Sequence, residues 1–412
     1  MKILWFSNTP SNYNQKSSTY NGGGWISSLE TEIKKNTDIE LAIGFFHPDP
    51  CFKSVQNNVT YYPIRRNLSL KGRVDRFFNI SAQDAKEVNL CLRVIEDFKP
   101  DLIHIFGTES CFGLLCQHTK IPVVIHLQGL MAPYLNAWVP PFYSLGDYFL
   151  SGGWSPKQIA LRIRAWQFNK HAAMREKEIM RCCKHFMGRT EWDKAYCSLY
   201  APQATYYHCD EMLRSTFYEP GTRMVPAQPR FVSTLSGPLY KGHDMVLKTA
   251  RVLIESGLSD FTWDVYGIHS MRFAEKKTKI KAAEVNVRCK GVASAEELKK
   301  ALLNCTAYIH TSYIDNSPNS LCEAQLLGVP VIATNVGGIA SIVINGETGF
   351  LAPSNDPYSM ASTAYKIMNS PQISEAIGTS AMEASRKRHK KQHIVNSLST
   401  IYKTVVEEHE RS

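Results

Sequence analysis

Two carboxylates, Asp315 and Glu323, flank the start of a predicted helix, eight positions apart. Pro318 fixes a backbone angle that is compatible with a helix start, and Asn319 or Ser320 can cap the helix. Carboxylate oxygens accept hydrogen bonds from hydroxyl groups, so Glu323 could hold a ribose diol and Asp315 a second sugar. The two acids therefore predict a site for a ligand with several hydroxyl groups.

The same helix start predicts phosphate binding. The N–H groups of Asn319, Ser320 and Leu321 are predicted to be free, and the positive end of the helix dipole lies beside them. Gly328 is a good residue to end the helix, and Pro330 begins the next strand. Phosphate and hydroxyl sites at one helix end indicate an activated sugar, although a carboxylate here also occurs simply as a partner of the helix dipole.

The composition is that of a globular protein. The chain has 412 residues, about two ordinary domains, with 44% hydrophobic and 20% charged residues. Its 11 cysteines form no C-x-x-C pair, which favours a reducing cytoplasm and argues against disulfides or a zinc site. No apolar run is long enough for a transmembrane helix, and the apolar run at the N-terminus is too short for a signal peptide.

The net charge of +10 is concentrated in two segments. Residues 65–76 hold five basic residues against one acidic residue, and residues 162–194 hold nine against four. Basic segments of this kind indicate binding to nucleic acid, to an anionic membrane surface or to a phosphorylated substrate. A solvated helix face is an equally simple explanation.

Strand and helix patterns alternate along the whole chain, which predicts an α/β fold with parallel sheets covered on both faces. A proline-rich stretch divides this alternation into two regions. Two Rossmann-like domains with a cleft between them are therefore predicted. The predicted parts are an N-terminal domain (1–222), a linker (223–230), a C-terminal domain (231–390) and a final helix that packs back on the first domain (391–412).

Residues 130–156 interrupt the alternation with a run of aromatic side chains. A long aromatic loop is often functional or in contact with a membrane, and packing on a neighbouring helix is the alternative. A basic helix is predicted next, at about 157–187, and it contains Arg162, Arg164 and Arg175. Together these features predict peripheral contact with an anionic membrane.

Residues 231–370 resemble the C-terminal domain of the GT4 retaining glycosyltransferases of GT-B fold, also called glycosyl transferases group 1. The family motif is a pair of acids, a helix of small residues and a PVIAT-like strand. This sequence has Asp315 and Glu323, then PVIAT at 330–334 and Gly337-Gly338. NGETGFL at 345–351 is similar to the turn that follows, and SGPLYKGHD at 236–244 to the phosphate clamp.

Two positions depart from the family pattern. Asp315 stands where Glu is usual, and Pro238 stands where the clamp usually has Arg, while Lys241 is kept. The resemblance therefore implies a diphosphate that is bound by Lys241 and the helix amides, with fewer cationic side chains than is usual in the family.

The resemblance also implies which residues bind the donor. The base is expected near Gly267 and Val292, the ribose at Glu323, and the sugar near Asp315. The expected phosphate contacts are Gly23, Gly24, Gly237, Lys241, Asn319, Ser320 and Leu321. No D-x-D motif occurs, so neither a metal nor any other cofactor is expected.

In the first half, two segments follow strand patterns and are expected to line the site. Glu109 and His126 are predicted on the acceptor side, although the strand pattern favours a position for His126 within the strand, facing the core. Gln128 stands where many family members have His, and it is predicted to be catalytic together with Asp315 and Lys241.

The implied function is retaining transfer of a sugar from a nucleotide-diphospho-sugar to a hydroxyl acceptor, in polysaccharide or glycolipid assembly. The expected acceptor is a sugar or a lipid-linked sugar, with no nucleic acid involved. The expected location is the cytoplasm, at the inner face of the membrane. Two alternatives remain open, a sugar-nucleotide epimerase of GT-B fold and an inactive sugar-nucleotide binder.

Overall fold

The computed structural model describes residues 1–14, 24–48, 51–66 and 79–411. The chain divides into two compact units. The first unit comprises Met1–Leu135, Gly153–Met212 and Lys391–Ser412, and the second comprises Asn136–Gly152 and Leu213–Lys390. Each unit is therefore built from segments that are distant in sequence.

The first unit is built on an eight-stranded sheet in the order β3-β4-β2-β1-β5-β6-β7-β8. All neighbours are parallel except β3 and β4, which pair antiparallel. The strands are β1 (Lys2–Phe6), β2 (Glu40–Phe46), β3 (Ser54–Gln56), β4 (Val59–Ile64), β5 (Leu102–Phe106), β6 (Val123–His126), β7 (His185–Gly188) and β8 (Thr205–His208).

Helices pack on the sheet of the first unit. They are α1 (Gly24–Asn36), α2 (Ile80–Phe98), α3 (Met131–Asn136), α5 (Pro156–Cys182), α6 (Glu191–Tyr200) and α13 (Lys391–Glu410), numbered in chain order with those of the second unit. The central strands β5 and β6 are buried along their whole length. A parallel sheet covered on both faces requires such continuous apolar strands.

The second unit is built on a six-stranded sheet in the order β11-β10-β9-β12-β13-β14, in which all neighbours are parallel. The strands are β9 (Arg230–Thr234), β10 (Thr262–Tyr266), β11 (Val287–Gly291), β12 (Ala307–His310), β13 (Val331–Thr334) and β14 (Phe350–Ala352). The helices are α4 (Leu145–Leu150), α7 (His243–Glu255), α8 (Arg272–Thr278), α9 (Ala295–Leu303), α10 (Asn319–Leu326), α11 (Pro357–Asn369) and α12 (Pro371–Arg388).

Two parallel sheets with alternating helices confirm the predicted fold class. The last helix, α13, belongs to the first unit, where the Tyr402 hydroxyl accepts a hydrogen bond from Trp5 Nε1 at 2.9 Å and lies 2.6 Å from His104 Nδ1. The segment 223–230, which the sequence predicted to be a linker, lies inside the second unit. No helix in the described part of the chain combines the length and the hydropathy that crossing a membrane requires.

Most of the aromatic segment lies in the second unit rather than the first. Its Trp138 ring packs against Tyr240, with centroids 5.2 Å apart, and its Tyr143 ring stacks on Phe273 at 6.0 Å. Asp147 forms an ion pair with Lys277 at 3.0 Å. Trp138 therefore packs on the residue that precedes Lys241, and Tyr143 packs on α8.

A single buried carboxylate fixes two loops of the first unit. Glu176 of α5 has no exposed surface, and it accepts hydrogen bonds from four donors. These are Thr108 Oγ1 (2.6 Å), the amides of Met131 (2.7 Å) and Ala132 (3.0 Å), and the Tyr196 hydroxyl (2.8 Å). Because Thr108 follows β5 and Met131 begins α3, this carboxylate holds in place the loops that carry Glu109 and Gln128.

Replacing Glu176 by Gln should destabilise the protein by about 2–3 kcal/mol, because the new amide nitrogen would face N–H and O–H donors. Urea denaturation followed by circular dichroism measures this loss. The control is Glu178→Gln, on the exposed side of the same helix, which should change stability by less than about 0.5 kcal/mol. Equal losses in the two variants would contradict the assigned role.

Candidate functional site

Lys241 and Asp315 form an ion pair beyond the carboxyl ends of the strands of the second unit. Lys241 Nζ lies 2.6 Å from Asp315 Oδ2, and His310 Nε2 lies 3.2 Å from the same oxygen. Burial by itself would raise the pKa of Asp315. The charge of Lys241 and the proximity of His310 outweigh it and hold the pKa of Asp315 well below its ordinary value.

The backbone brings this lysine to the acid. Gly242 follows Lys241 with a φ of +79°, and a Cβ atom at this position would lie 2.0 Å from the carbonyl oxygen of Thr311. Thr311 Oγ1 in turn donates to the carbonyl of Lys241 at 3.0 Å, and the Tyr313 amide donates to Tyr240 O at 2.7 Å. Only glycine permits this approach, so Gly242 sets where Lys241 lies.

The glycine pair after β13 positions Asp315 in the way that Gly242 positions Lys241. Gly337 has a φ of +52°, and a Cβ atom there would lie 2.0 Å from the carbonyl oxygen of Asp315. The same oxygen accepts a hydrogen bond from the Gly338 amide at 3.0 Å. The motif glycines thus hold the backbone of Asp315 in place.

The start of α10 differs from the predicted capping. Pro318 is the N-cap residue, with no hydrogen bond from a capping side chain, so neither Asn319 nor Ser320 caps the helix. The Leu321 amide donates to Pro318 O at 3.0 Å, and the prediction that it is free was wrong. In the part of the chain that the structure describes, the amides of Asn319 and Ser320 have no such acceptor and remain available to an anion.

Three hydroxyl groups meet at this helix start. Thr234 Oγ1, the Tyr308 hydroxyl and Ser320 Oγ are each 2.7 Å from the other two. Thr234 ends β9 and Tyr308 lies in β12, so the network ties α10 to the centre of the sheet. It fixes the end of α10 at which a phosphate would bind.

Glu323 is fully buried and paired with an arginine. Arg214 Nε donates to its Oε1 at 2.7 Å, and Arg214 Nη2 donates to its Oε2 at 2.6 Å. Burial raises the pKa of Glu323, and the charge of Arg214 opposes that rise. The predicted ribose contact is thus covered by a guanidinium group, whose side chain is itself 31% exposed.

The remaining predicted donor residues lie on loops after neighbouring strands. Gly237 follows β9 and has open space where a side chain would extend. Gly267 follows β10, and its amide donates to Gly291 O at 2.7 Å. Val292 follows β11 and is 51% exposed. The carboxyl ends of parallel strands share one edge of a sheet, so these loops lie on the same side as Lys241.

In the first unit, His126 and Gln128 lie at the end of β6. His126 is buried, and its ring stacks on His104 with centroids 5.6 Å apart. Burial, together with the charge of Arg189, lowers the pKa of His126 to about 3. Gln128 Nε2 donates back to the His126 carbonyl at 3.3 Å. His126 is therefore a neutral core residue, whereas Gln128 lies in the loop after the strand.

Glu109 lies in the loop after β5. Its Oε2 atom is buried and has no hydrogen-bond donor in the described part of the chain. Burial, with a smaller contribution from the nearby Glu176, raises the pKa of Glu109 to about 7. The amide of Gly129 and the charge of Arg189 oppose the rise. Glu109 is thus a carboxyl group that changes charge near neutral pH.

The glycine-rich turn after β1 is described only in part. Gly24 is the first residue of α1, and Gly23 lies outside the described residues. No cluster of three or more His, Cys, Asp or Glu side chains within the described ranges is placed to hold a metal ion.

Two residues of the site were not predicted from the sequence. Arg214 follows β8 and is 109 positions from its partner Glu323, so no local pattern reveals the pair. His310 ends β12, five residues before Asp315. The sequence pattern that could have identified it as a site residue is a strand that is followed by a short loop. Arg214 supplies positive charge and two hydrogen bonds to Glu323, and His310 Nε2 lies beside Asp315 Oδ2.

Solved structures show which fold the chain has. Sucrose-phosphate synthase from Thermosynechococcus elongatus has a TM-score of 0.73 and 16% identity, covering 98% of each chain. The Anabaena protein Alr3699/HepE, in complex with UDP and glucose, has a TM-score of 0.62 and 16% identity, covering 97% of this chain and 98% of that one. At these identities the similarity shows the fold, which is the GT-B fold of glycosyltransferases.

The second half of the chain matches a known protein family. Residues 227–384 match the family described as glycosyl transferases group 1. The capsular polysaccharide biosynthesis glycosyltransferase CapM of Staphylococcus aureus is 33% identical over 107 residues. This match covers 26% of the present chain and 28% of CapM, so the chain matches less than a third of that relative's length.

The raised pKa of Glu109 has a consequence for stability. The folded state binds a proton at this carboxyl more tightly than the unfolded state, in which the ordinary value of 4.5 applies. The contribution to stability is complete below pH 4.5 and should be lost as the pH rises to about 7. Urea denaturation of the wild type and Glu109→Gln between pH 4.5 and 8 should show the wild type losing stability relative to the variant. A carboxyl ¹³C titration with a midpoint near 4.5 would contradict this.

Proposed function

We propose that this protein is a retaining glycosyltransferase that moves a sugar from a nucleotide-diphospho-sugar to a hydroxyl group of a sugar or lipid-linked acceptor. The observation that carries the proposal is the ion pair of Lys241 and Asp315 beside the start of α10. A cation and free amides can bind a diphosphate, and an ionised carboxylate can bind sugar hydroxyls. The family match of residues 227–384 supports the same reaction class.

The chemistry assigned to each group follows from the charges that develop. As the bond between the anomeric carbon and the phosphate oxygen breaks, the leaving diphosphate gains negative charge. Lys241 and the amides of Asn319 and Ser320 stabilise that charge. The acceptor oxygen forms the new bond on the same face, and its proton passes to the leaving phosphate oxygen. This scheme requires neither a metal nor another cofactor.

Asp315 and Arg214 have supporting roles in this scheme. Asp315 is held in its ionised form by Lys241 and His310, so it can accept hydrogen bonds from the transferred sugar. In this scheme Lys241 contacts the bound diphosphate and Asp315 at the same time. At Glu323 the guanidinium of Arg214 covers the carboxylate, so a ribose would meet both groups together.

A thermal-shift screen of UDP-sugars, GDP-sugars and other nucleotide sugars tests donor binding. One nucleotide sugar should raise the melting temperature, since a ligand at 100 times its Kd adds about 2.7 kcal/mol of stability. Lys241→Met should abolish that rise. The matched control is Lys248→Met, because Lys248 makes a similar ion pair with Asp244, at 2.8 Å, one turn into α7. A rise that persists in Lys241→Met would contradict the assignment.

Incubation of the identified donor alone distinguishes transfer from isomerisation. A transferase leaves the donor intact or hydrolyses it slowly, and it forms product only when an acceptor sugar is added. Epimerised donor would overturn the proposal. Donor binding with no turnover on any acceptor would instead indicate an inactive binder.

We further propose that the N-terminal half of α5 contacts an anionic membrane surface. Its apolar side chains Leu161 and Phe168 are 54% and 44% exposed, and Lys157, Arg162 and Arg164 lie on the same helix. Arg175 does not belong to this surface, because it is 3% exposed and forms an ion pair with Asp84 at 2.8 Å. A basic and apolar helix face is suited to anionic lipid headgroups.

Flotation with vesicles of phosphatidylcholine and phosphatidylglycerol tests this contact. Replacing Lys157, Arg162 and Arg164 by Gln should weaken binding, since a basic charge near such a surface contributes up to about 1 kcal/mol. The control replaces Lys279, Lys387 and Lys390, three exposed lysines of the second unit, and should leave binding unchanged. No flotation of the wild type, or equal flotation of both triple variants, would refute the proposal.

A further inference from the structure

An aromatic residue from the first half of the sequence lies against the residue that precedes Lys241. Trp138 belongs to residues 136–152, which are part of the second unit although they lie between β6 and β7 in the sequence. Its ring packs against the Tyr240 ring, with centroids 5.2 Å apart. Because Tyr240 is buried and directly precedes Lys241, Trp138 contacts the short segment that carries this lysine.

The Tyr240 ring connects Trp138 to the ion pair of the site. Lys241 Nζ lies over this ring, 5.5 Å from its centroid, which is within the range of a cation–π contact. Burial, with a smaller contribution from the charge of Asp315, raises the pKa of the Tyr240 hydroxyl, so the acid acts on the same ring. The backbone of Tyr240 is held separately, since its carbonyl accepts a hydrogen bond from the Tyr313 amide at 2.7 Å. Trp138 therefore supports the ring of Tyr240 rather than its backbone.

Helix α4 in turn supports Trp138. The buried Tyr148 ring lies edge-on to Trp138, with centroids 6.3 Å apart. The helix begins with a capping box, in which the Asp147 amide donates to Ser144 Oγ at 3.1 Å and the Ser144 amide donates to Asp147 Oδ2 at 2.9 Å. Asp147 is also paired with Lys277 of α8 at 3.0 Å. The tryptophan ring thus packs on an element that is itself held in place.

Phe142, in the same segment, contacts a different lysine. Lys248 Nζ lies over the Phe142 ring, 4.0 Å from its centroid, and forms an ion pair with Asp244 at 2.8 Å. The side chains of Lys241 and Lys248 are 20% and 21% exposed, and each forms an ion pair with an aspartate. The two lysines are therefore a matched pair, one inside the proposed donor site and the other outside it.

We infer that Trp138 is a positioning residue, which places Lys241 for the leaving diphosphate by supporting the Tyr240 ring. It acts through Tyr240 rather than by contact with the diphosphate. This role rests on the proposed function, in which Lys241 stabilises the negative charge of the leaving group. Without the indole, the tyrosine ring and the lysine ammonium group are free to move, and a charge that is no longer fixed in place stabilises the transition state less well.

Competitive acetylation of the full-length protein with acetic anhydride, followed by mass spectrometry, tests the positioning without any ligand. Trp138→Ala should raise the acetylation rate of Lys241 by about two- to tenfold, the range that the loss of one aromatic pair implies, and leave Lys248 unchanged. Phe142→Leu should do the reverse, because its ring contacts Lys248. Trp138→Phe, which keeps an aromatic ring, should restore most of the wild-type rate at Lys241.

Melting temperatures and circular dichroism establish that each variant is folded. An unchanged rate at Lys241 in Trp138→Ala would overturn the inference. Equal increases at Lys241 and Lys248 in this variant would also overturn it, because they would show a general loosening of the second unit.

Turnover of the nucleotide sugar found in the thermal-shift screen tests the consequence for sugar transfer. Trp138→Ala should lower kcat/KM by about two- to tenfold, Trp138→Phe should restore it, and Phe142→Leu should leave it within about twofold of the wild type. A wild-type kcat/KM in Trp138→Ala would overturn the role in transfer. Absence of turnover in the wild type would contradict the proposed function instead, and the acetylation rates would still decide whether Trp138 positions Lys241.

Discussion

The fold of the second unit depends on cations that compensate the negative charges of its buried carboxylates. A carboxylate that is removed from water without a partner is very costly, and the two motif acids are almost fully buried. Asp315 is matched by Lys241, and Glu323 is matched by Arg214 through two parallel hydrogen bonds. The cations that an anionic ligand would meet are thus the same ones that allow these acids to be buried.

The first unit resolves a similar problem in two different ways. Glu176 is satisfied by four donors and needs no cation, so it acts as a fixed connection between loops. Glu109, a short distance along one of those loops, lacks a donor at Oε2, and its pKa rises to about 7. Two carboxylates of one region therefore differ in their surroundings, since Glu176 is hydrogen-bonded at both oxygens whereas burial raises the pKa of Glu109, which has no donor at Oε2 in the described part of the chain.

Local patterns were sufficient to predict much of this architecture. Apolar runs such as Lys2–Phe6 and Leu102–Phe106 are the strands that were expected, and the helix that was expected after Pro318 is α10, which contains Glu323. Features that depend on distant contacts were not predictable in this way. Arg214 meets Glu323 only in the folded chain, and the free amide expected at Leu321 is lost because Pro318 O lies within reach. No local signal assigns the aromatic segment to the second unit.

The interleaving of the two units has a consequence for synthesis on the ribosome. Residues 136–152 are made well before Tyr240 and Phe273 of the second unit, on which Trp138 and Tyr143 pack. The first unit, although begun first, lacks the Tyr402 hydroxyl for Trp5 until the last helix is made. Neither unit can be completed as its own segment emerges, in contrast to domains that fold one after another. Apolar surfaces in each unit therefore stay exposed while the segments that cover them are still being made.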